Sequence, residues 1–152
     1  MSSFEKLSLY TSLLALVVAG GSLLYTIRQV GLLKRQLQVD IRSRIAAVNR
    51  ELLSLAFQDE ELFRLFENQP LNNKSKQRHY IQMWLNHIFL MWDARQQQLL
   101  LESEWYADTK DISDFLSIET VGKHWEEVRS FYPPDFVAFV ATLTNQRMLP
   151  VR

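Results

Sequence analysis

The 152-residue sequence contains no cysteine. Disulfides, zinc–thiolate sites, iron–sulfur clusters and thiol catalysis are therefore excluded together. Glycine and proline are also scarce, with four residues of each type. Because the strands of a sheet are usually joined by turns that contain these residues, their scarcity favours long helices over a many-stranded sheet.

The chain has no net charge, since 17 basic side chains balance 17 acidic ones, and no global electrostatic argument for nucleic-acid binding remains. The charges are unevenly distributed along the chain. Between Arg28 and Arg50 there are six basic residues and one acid, Asp40. Between Glu102 and Asp135 there are nine acids and three bases. The sequence is therefore basic in its first third and acidic in its last third.

The common catalytic and metal-binding motifs are also missing. There is no Gly-x-Ser-x-Gly motif, and no glycine-rich phosphate loop follows Gly31. Dinuclear carboxylate bundles need two Glu-x-x-His pairs, whereas the nearest match is His124 with Glu127, in the reverse order. We therefore expect the protein not to be an enzyme, and we expect no metal and no cofactor.

What the sequence does contain is a run of 21 residues without a charge, Leu7–Ile27. As a helix it would span about 31 Å, the thickness of the hydrocarbon core of a bilayer. A cleaved signal peptide and a buried core helix are the alternatives. The run is long for a core helix, and it continues past the poor cleavage candidate Ala19-Gly20-Gly21 into a basic cluster, as a stop-transfer anchor does. A membrane span is therefore the favoured interpretation.

Lysine and arginine flank this run unequally. The N-terminal side has Lys6, whereas several membrane-flanking basic residues follow the run. Because the more basic flank stays in the cytoplasm, we predict that the N-terminus is outside and that the C-terminal domain is cytoplasmic. The same basic residues are also compatible with a solvated helix face or with attraction of anionic lipid. The membrane-flanking basic residues are Arg28, Lys34, Arg35, Arg42 and Arg44.

Hydrophobic spacing predicts helices for the rest of the chain. From Leu33 to Leu55 apolar residues recur every three or four positions, the period of one helix face. Proline and asparagine predict a loop at Asn68–Asn73, and the acids of Glu102–Asp114 predict a solvated loop before a short helix. A further helix is predicted to begin at a cap on Asp59, and the next to run from Lys74 to at least Leu101. Another is predicted from Glu119 to Phe131, with Phe131 facing inward. The last is predicted from Asp135 to Thr144, after a break at Pro133-Pro134.

The predicted fold class is all-α, with an N-terminal transmembrane helix that continues into a small cytoplasmic helical bundle. Residues 1–29 would form the transmembrane anchor, residues 30–145 the helical bundle domain and residues 146–152 a flexible tail. The length leaves room for one compact domain after the membrane segment.

The order of these features resembles a bacterial family of small single-pass membrane-anchored helical proteins of unknown function. The resemblance implies the architecture and, because that family has no assigned activity, it implies no chemistry. The residues that carry it are Phe66-Glu67-Asn68-Gln69-Pro70, Trp84–Trp92, Trp125-Glu126-Glu127-Val128 and Phe136–Val140.

An anchored chain without a catalytic motif is typical of an interaction or scaffold protein. We expect it to act at the cytoplasmic membrane surface through contacts with a protein partner or a second copy. The lipid bilayer is its other expected partner, and we expect no binding of nucleic acid. The binding surface would be the segment Glu102–Asp114 or a face of the helix Leu33–Leu55. The alternative is a helical bundle that binds an apolar small molecule or lipid in an aromatic-lined core. The aromatic candidates for either contact, which would otherwise be ordinary core residues, are Trp84, Trp92, Trp105 and Trp125.

Overall fold

A computed structural model describes residues 3–67 and 74–146. Within these ranges the structure contains six α-helices, one short 3-10 helix and no strand, so the predicted all-α class is confirmed. The predicted loop at Asn68–Asn73 and residues 147–152 of the predicted tail lie outside the described residues. The helices are α1 (Ser3–Gln58), α2 (Glu60–Phe66), α3 (Lys74–Gln96), α4 (Glu102–Leu116), α5 (Glu119–Val128) and α6 (Pro134–Gln146), with the 3-10 helix at Arg129–Phe131.

The backbone separates into two compact units, Met1–Asp40 and Ile41–Arg152. In the first unit every residue from Tyr10 to Leu37 is exposed, and Leu16 in the middle of the apolar run retains 70% of its surface. Within the described residues, α1 alone is long and apolar enough to cross a membrane, and none of its most apolar window is buried. The described side chains of the run are thus not buried in a core, and the membrane span and the end of the anchor at residue 29 stay predictions.

The second unit has its own apolar core, to which the C-terminal part of α1 contributes one face. Ile45, Leu52 and Ala56 are buried, whereas Leu55, which was predicted on this face, is 37% exposed. Eleven residues complete about three helical turns, so Ala56 lies almost directly in line with Ile45 and takes the place expected for Leu55. The small Ala56 side chain gives no strong hydrophobic signal in the sequence.

A carboxylate caps α2 as predicted. The Asp59 side chain accepts hydrogen bonds from the backbone N–H groups of Glu61 at 3.1 Å and Leu62 at 3.4 Å. A hydrogen bond from Lys76 lowers the pKa of Asp59 and links the start of α2 to the start of α3. Leu62 and Leu65 are then buried in the core.

The predicted extension of α3 to at least Leu101 is wrong, because the helix ends at Gln96 in a Schellman motif. The Leu99 N–H donates to the Ala94 carbonyl at 2.9 Å, and the Gln98 N–H donates to the Arg95 carbonyl at 3.0 Å. Gln98 has φ 58°, the left-handed conformation that glycine usually occupies at this position. A glutamine there gives no helix-stop signal, which explains the wrong boundary.

The predicted acidic loop at Glu102–Asp114 is also wrong, because these residues form most of α4. Ile112 and Phe115 are buried, and the Trp105 ring lies 5.4 Å from the Phe139 ring of α6. Burial of this apolar face against the bundle outweighs the weak helix propensity of the aspartates, which lie between the buried positions.

The end of α5 differs from the prediction as well. The helix gives way to the 3-10 turn after Val128, and Phe131 is 84% exposed instead of inward. Tyr132 takes its place, with its ring 5.4 Å from Trp125 and 5.3 Å from Phe136. The prediction that the prolines break the helix is confirmed, since α6 begins at Pro134.

An aromatic cluster surrounds Phe136, which is fully buried on α6. Its ring lies 5.1 Å from Phe89, 5.4 Å from Trp92 and 5.8 Å from Trp125. Tilted and edge-to-face pairs at such distances are favourable beyond their buried area. The cluster therefore joins α3, α5 and α6 into one core.

The left-handed residue at the end of α3 generates a stability prediction. Gln98→Gly should raise the free energy of unfolding by about 0.5–1 kcal/mol, because glycine adopts this conformation without the clash of a Cβ atom. Chemical denaturation of the full chain in detergent, followed by circular dichroism, measures the change. Gln97→Gly is the matched control and should destabilise, since Gln97 does not have a positive φ. Equal effects of the two substitutions would contradict this interpretation.

Candidate functional site

A groove of about 700 Å³ lies on the second unit between the C-terminal part of α1, α3 and α4, and we call it the α4 groove. Its base is apolar and consists of side chains from α3 and α4. Ile88, Met91 and Ile112 at the base are buried, whereas Leu53 of α1 at the edge is 40% exposed. The groove is therefore open to solvent along its edge.

One side of the α4 groove carries a row of carboxylates. Asp108, Asp111 and Asp114 all line it and recur at every third residue of α4. No lysine or arginine side chain is among the described residues that line the groove. The groove thus combines an apolar base with carboxylates at its rim.

Of the four tryptophans that the sequence suggested as contact residues, Trp84 is the one found among the described residues that line the α4 groove. Its ring lies 5.4 Å from Phe115 and 6.5 Å from Tyr80. The Tyr80 hydroxyl donates to the Leu52 carbonyl at 2.8 Å, and burial raises the pKa of Tyr80. Trp84 is therefore held by neighbours from α3 and α4 while part of its surface faces the groove.

The other three candidate tryptophans lie elsewhere in the second unit. Trp92 and Trp125 are buried in the cluster around Phe136. Trp92 and the half-buried Trp105 also line a smaller hollow of about 400 Å³ next to Arg95. Partner or ligand contact by any of these tryptophans stays a prediction.

The membrane-flanking basic residues all lie on α1. Arg28, Lys34 and Arg35 are exposed in the first unit. Arg44 is exposed and Arg42 is half-buried in the second unit. Contact of these side chains with lipid stays a prediction.

His87 is a buried polar residue next to Trp84, with 6.0 Å between the two ring centroids. Its side chain is 3% exposed, and neither ring nitrogen has a hydrogen-bond partner in the described part of the chain. Burial lowers the pKa of His87. A charged imidazole would be costly here, so the neutral form is favoured at pH 7.

A polar network that the sequence did not indicate joins α3 to the segment after α5. The Tyr132 hydroxyl donates to Asn86 Oδ1 at 2.8 Å and accepts from Gln82 Nε2 at 2.8 Å. His124 Nε2 lies 3.3 Å from Gln82 Oε1, and His124 Nδ1 lies 3.5 Å from Glu127. In residues 3–67 and 74–146, no group of three or more histidine, aspartate and glutamate side chains is arranged to hold a metal ion. The network instead fixes the position of Tyr132 over the core.

No known protein family, curated protein or solved structure matches the chain. The resemblance to a bacterial family of small anchored helical proteins therefore stays a prediction. Function has to be inferred from two features of the molecule, the exposed apolar helix and the α4 groove.

The unpartnered His87 generates a pH prediction. Its folded-state pKa is lowered below the ordinary value of 6.5, so the unfolded chain binds more protons as the pH falls through about 6.5. The free energy of unfolding should therefore decrease between about pH 7.5 and pH 5.5. His87→Leu should reduce this decrease and should be neutral or stabilising at pH 7.5, because it removes unsatisfied polar atoms. Denaturation at several pH values provides the measurement.

The same substitution at the exposed His79 is the control for this prediction. The pH dependence should persist in His79→Leu, since His87 is still present. An unchanged pH dependence in His87→Leu would show that burial of this imidazole is not its source.

Proposed function

We propose that the protein is a membrane-tethered helical scaffold that holds a protein partner at the cytoplasmic surface of the membrane. The observation that carries the proposal is the exposed apolar run of α1. Leu14, Val17 and Leu24 each retain more than half of their surface, and the run is apolar on all sides. A helix that is apolar all round needs a nonpolar environment, and the apolar side chains of this one are exposed.

The orientation of the tether is part of the proposal. Arg28, Lys34 and Arg35 follow the apolar run closely, while Lys6 is the one basic side chain that precedes it. The positive-inside rule favours retention of the basic flank in the cytoplasm. The second unit, residues 41–152, is then cytoplasmic.

The α4 groove supports a protein as the partner. It offers buried apolar side chains such as Ile88 at its base and carboxylates such as Asp111 at its rim. Protein interfaces characteristically combine an apolar centre with a polar edge. The groove lies on the second unit, whose own core includes the fully buried Phe136, Leu52 and Val140.

An apolar small molecule or lipid is the second candidate occupant. The groove volume of about 700 Å³ falls within the range of small-molecule sites, and Trp84 lines it. A ligand there would change tryptophan fluorescence in the wild-type chain, and the change would disappear in Trp84→Phe. The exposed Asp111 at the rim favours a protein over this ligand, because an apolar molecule gains nothing from a carboxylate.

Photo-crosslinking in native membranes tests the proposed function. A photoreactive amino acid at Ser117, on the rim of the α4 groove, should give a discrete adduct heavier than the monomer. The same amino acid at the exposed Ser130, which does not line the groove, is the matched control and should give no such adduct. No adduct from Ser117, or identical adducts from both positions, would contradict a scaffold that binds through this groove.

A further inference from the structure

A short basic patch follows the apolar run on α1. Arg28, Lys34 and Arg35 are exposed, and no acidic residue occurs in the sequence between Arg28 and Val39. All three belong to the first unit, Met1–Asp40. The patch is therefore a local concentration of positive charge next to the proposed membrane span.

Helix geometry places the three cations around one glycine. Gly31 is three residues after Arg28, three before Lys34 and four before Arg35, and residues at these spacings are neighbours on a helix surface. Apart from the adjoining backbone of α1, no atom of the described residues lies within 4 Å of the position that a Cβ atom of Gly31 would take. The glycine thus leaves an open gap at the centre of the patch.

The patch also lies at the level of the lipid headgroups of the proposed bilayer. Arg28 directly follows Ile27, the end of the uncharged run, and Arg35 is about 12 Å beyond Ile27 along the helix axis. Headgroups extend about 5–8 Å beyond the hydrocarbon core on each side. Because side chains on a helix are tilted toward its N-terminus, the long Lys34 and Arg35 side chains lean back toward this layer.

Phosphate is the ligand chemistry that suits these side chains. A guanidinium group donates paired hydrogen bonds to phosphate oxygens, and a lysine adds a compact positive charge. A zwitterionic headgroup carries its own cation, which competes with the protein for the phosphate. An anionic headgroup has no such competitor, so the patch favours anionic lipid.

We propose that Arg28, Lys34 and Arg35 bind the headgroup phosphate of an anionic phospholipid in the gap over Gly31. Soluble phosphates share this chemistry, but the position next to the apolar run selects a lipid, whose acyl chains then lie against the run. The proposal uses the charge of Lys34, which has a further interaction, and does not need a free ammonium group. The inference rests on the membrane tether of the proposed function and adds a lipid ligand to it.

The experiment uses the purified full chain in an uncharged detergent. Native mass spectrometry measures the binding of phosphatidylglycerol and of phosphatidylcholine with the same acyl chains. Each cation near an anionic headgroup strengthens binding by about fivefold, so phosphatidylglycerol should bind at least about fivefold more tightly than phosphatidylcholine. Glycerol 3-phosphate, which has the phosphate without acyl chains, should not displace phosphatidylglycerol at the same concentration.

Charge variants locate the binding. Arg28→Gln combined with Arg35→Gln should weaken the binding of phosphatidylglycerol by about five- to twentyfold and leave that of phosphatidylcholine within about twofold. Arg44→Gln combined with Arg50→Gln is the matched control, because it removes the same charge from exposed residues of the same helix. These residues lie about 26 Å or more beyond Ile27, and the affinity for phosphatidylglycerol should stay within about twofold.

A substitution at Gly31 separates a binding site from a general excess of charge. Retention of a basic flank in the cytoplasm depends on the number of lysines and arginines near the span and not on a gap between them. Gly31→Leu keeps every charge and fills the gap, so it should weaken the binding of phosphatidylglycerol by at least about threefold through loss of close phosphate contacts. Circular dichroism of each variant shows whether the helix is retained.

Four results would overturn the inference. These are equal binding of the two lipids, equal losses in the two double variants, full affinity in Gly31→Leu with the helix retained, and displacement by glycerol 3-phosphate, which would identify a soluble phosphate as the ligand. Failure of the proposed function gives a different result. A chain that prefers phosphatidylglycerol but gives no adduct from Ser117 in native membranes contradicts the scaffold function, whereas an adduct from a chain without lipid preference contradicts this inference alone.

Discussion

The hydrophobic effect acting on the uncovered part of α1 is the constraint on which the rest of the account depends. From Tyr10 to Leu37 the side chains of this helix are exposed, and those of the first two-thirds are almost all uncharged. Soluble proteins rarely leave so large an apolar surface in water, because its hydration is unfavourable. The second unit meanwhile buries its own apolar residues around Phe136 and α3. The proposed membrane tether provides a nonpolar environment for the first unit and leaves the second in water.

Charge is distributed unevenly along the chain. Basic residues follow the apolar run, and the proposed orientation places them at the cytoplasmic membrane surface, whereas α4 is acidic and borders the groove that Trp84 lines. Electrostatics determines specificity and the rate of encounter more than it determines affinity. Affinity for a partner would come from the apolar base of the groove, where Ile88 and Met91 are already ordered by the core.

Local signals in the sequence predicted the fold well, and contacts between distant residues were not predictable. The cap at Asp59 and the break at Pro133-Pro134 depend on neighbouring residues, and both predictions are confirmed. The prediction for α4 was wrong because its aspartates suggested a loop, although burial of Phe115 against the bundle determines its conformation. The α4 groove itself unites Leu53, Trp84 and Asp111, which are far apart in sequence and meet only through the packing of helices. The link between His124 and Gln82 has the same character.

The absence of cysteine allows one measurement to test retention, span and orientation of the apolar helix together. Ser2→Cys and Ser130→Cys place single thiols on either side of the proposed span, and a membrane-impermeant maleimide is applied to intact cells. The account predicts that Ser2→Cys is labelled at once and that Ser130→Cys is labelled only after the membrane is opened. Labelling of Ser130→Cys in intact cells, loss of the Ser2→Cys thiol from the mature chain, or protection of both thiols until lysis would contradict it.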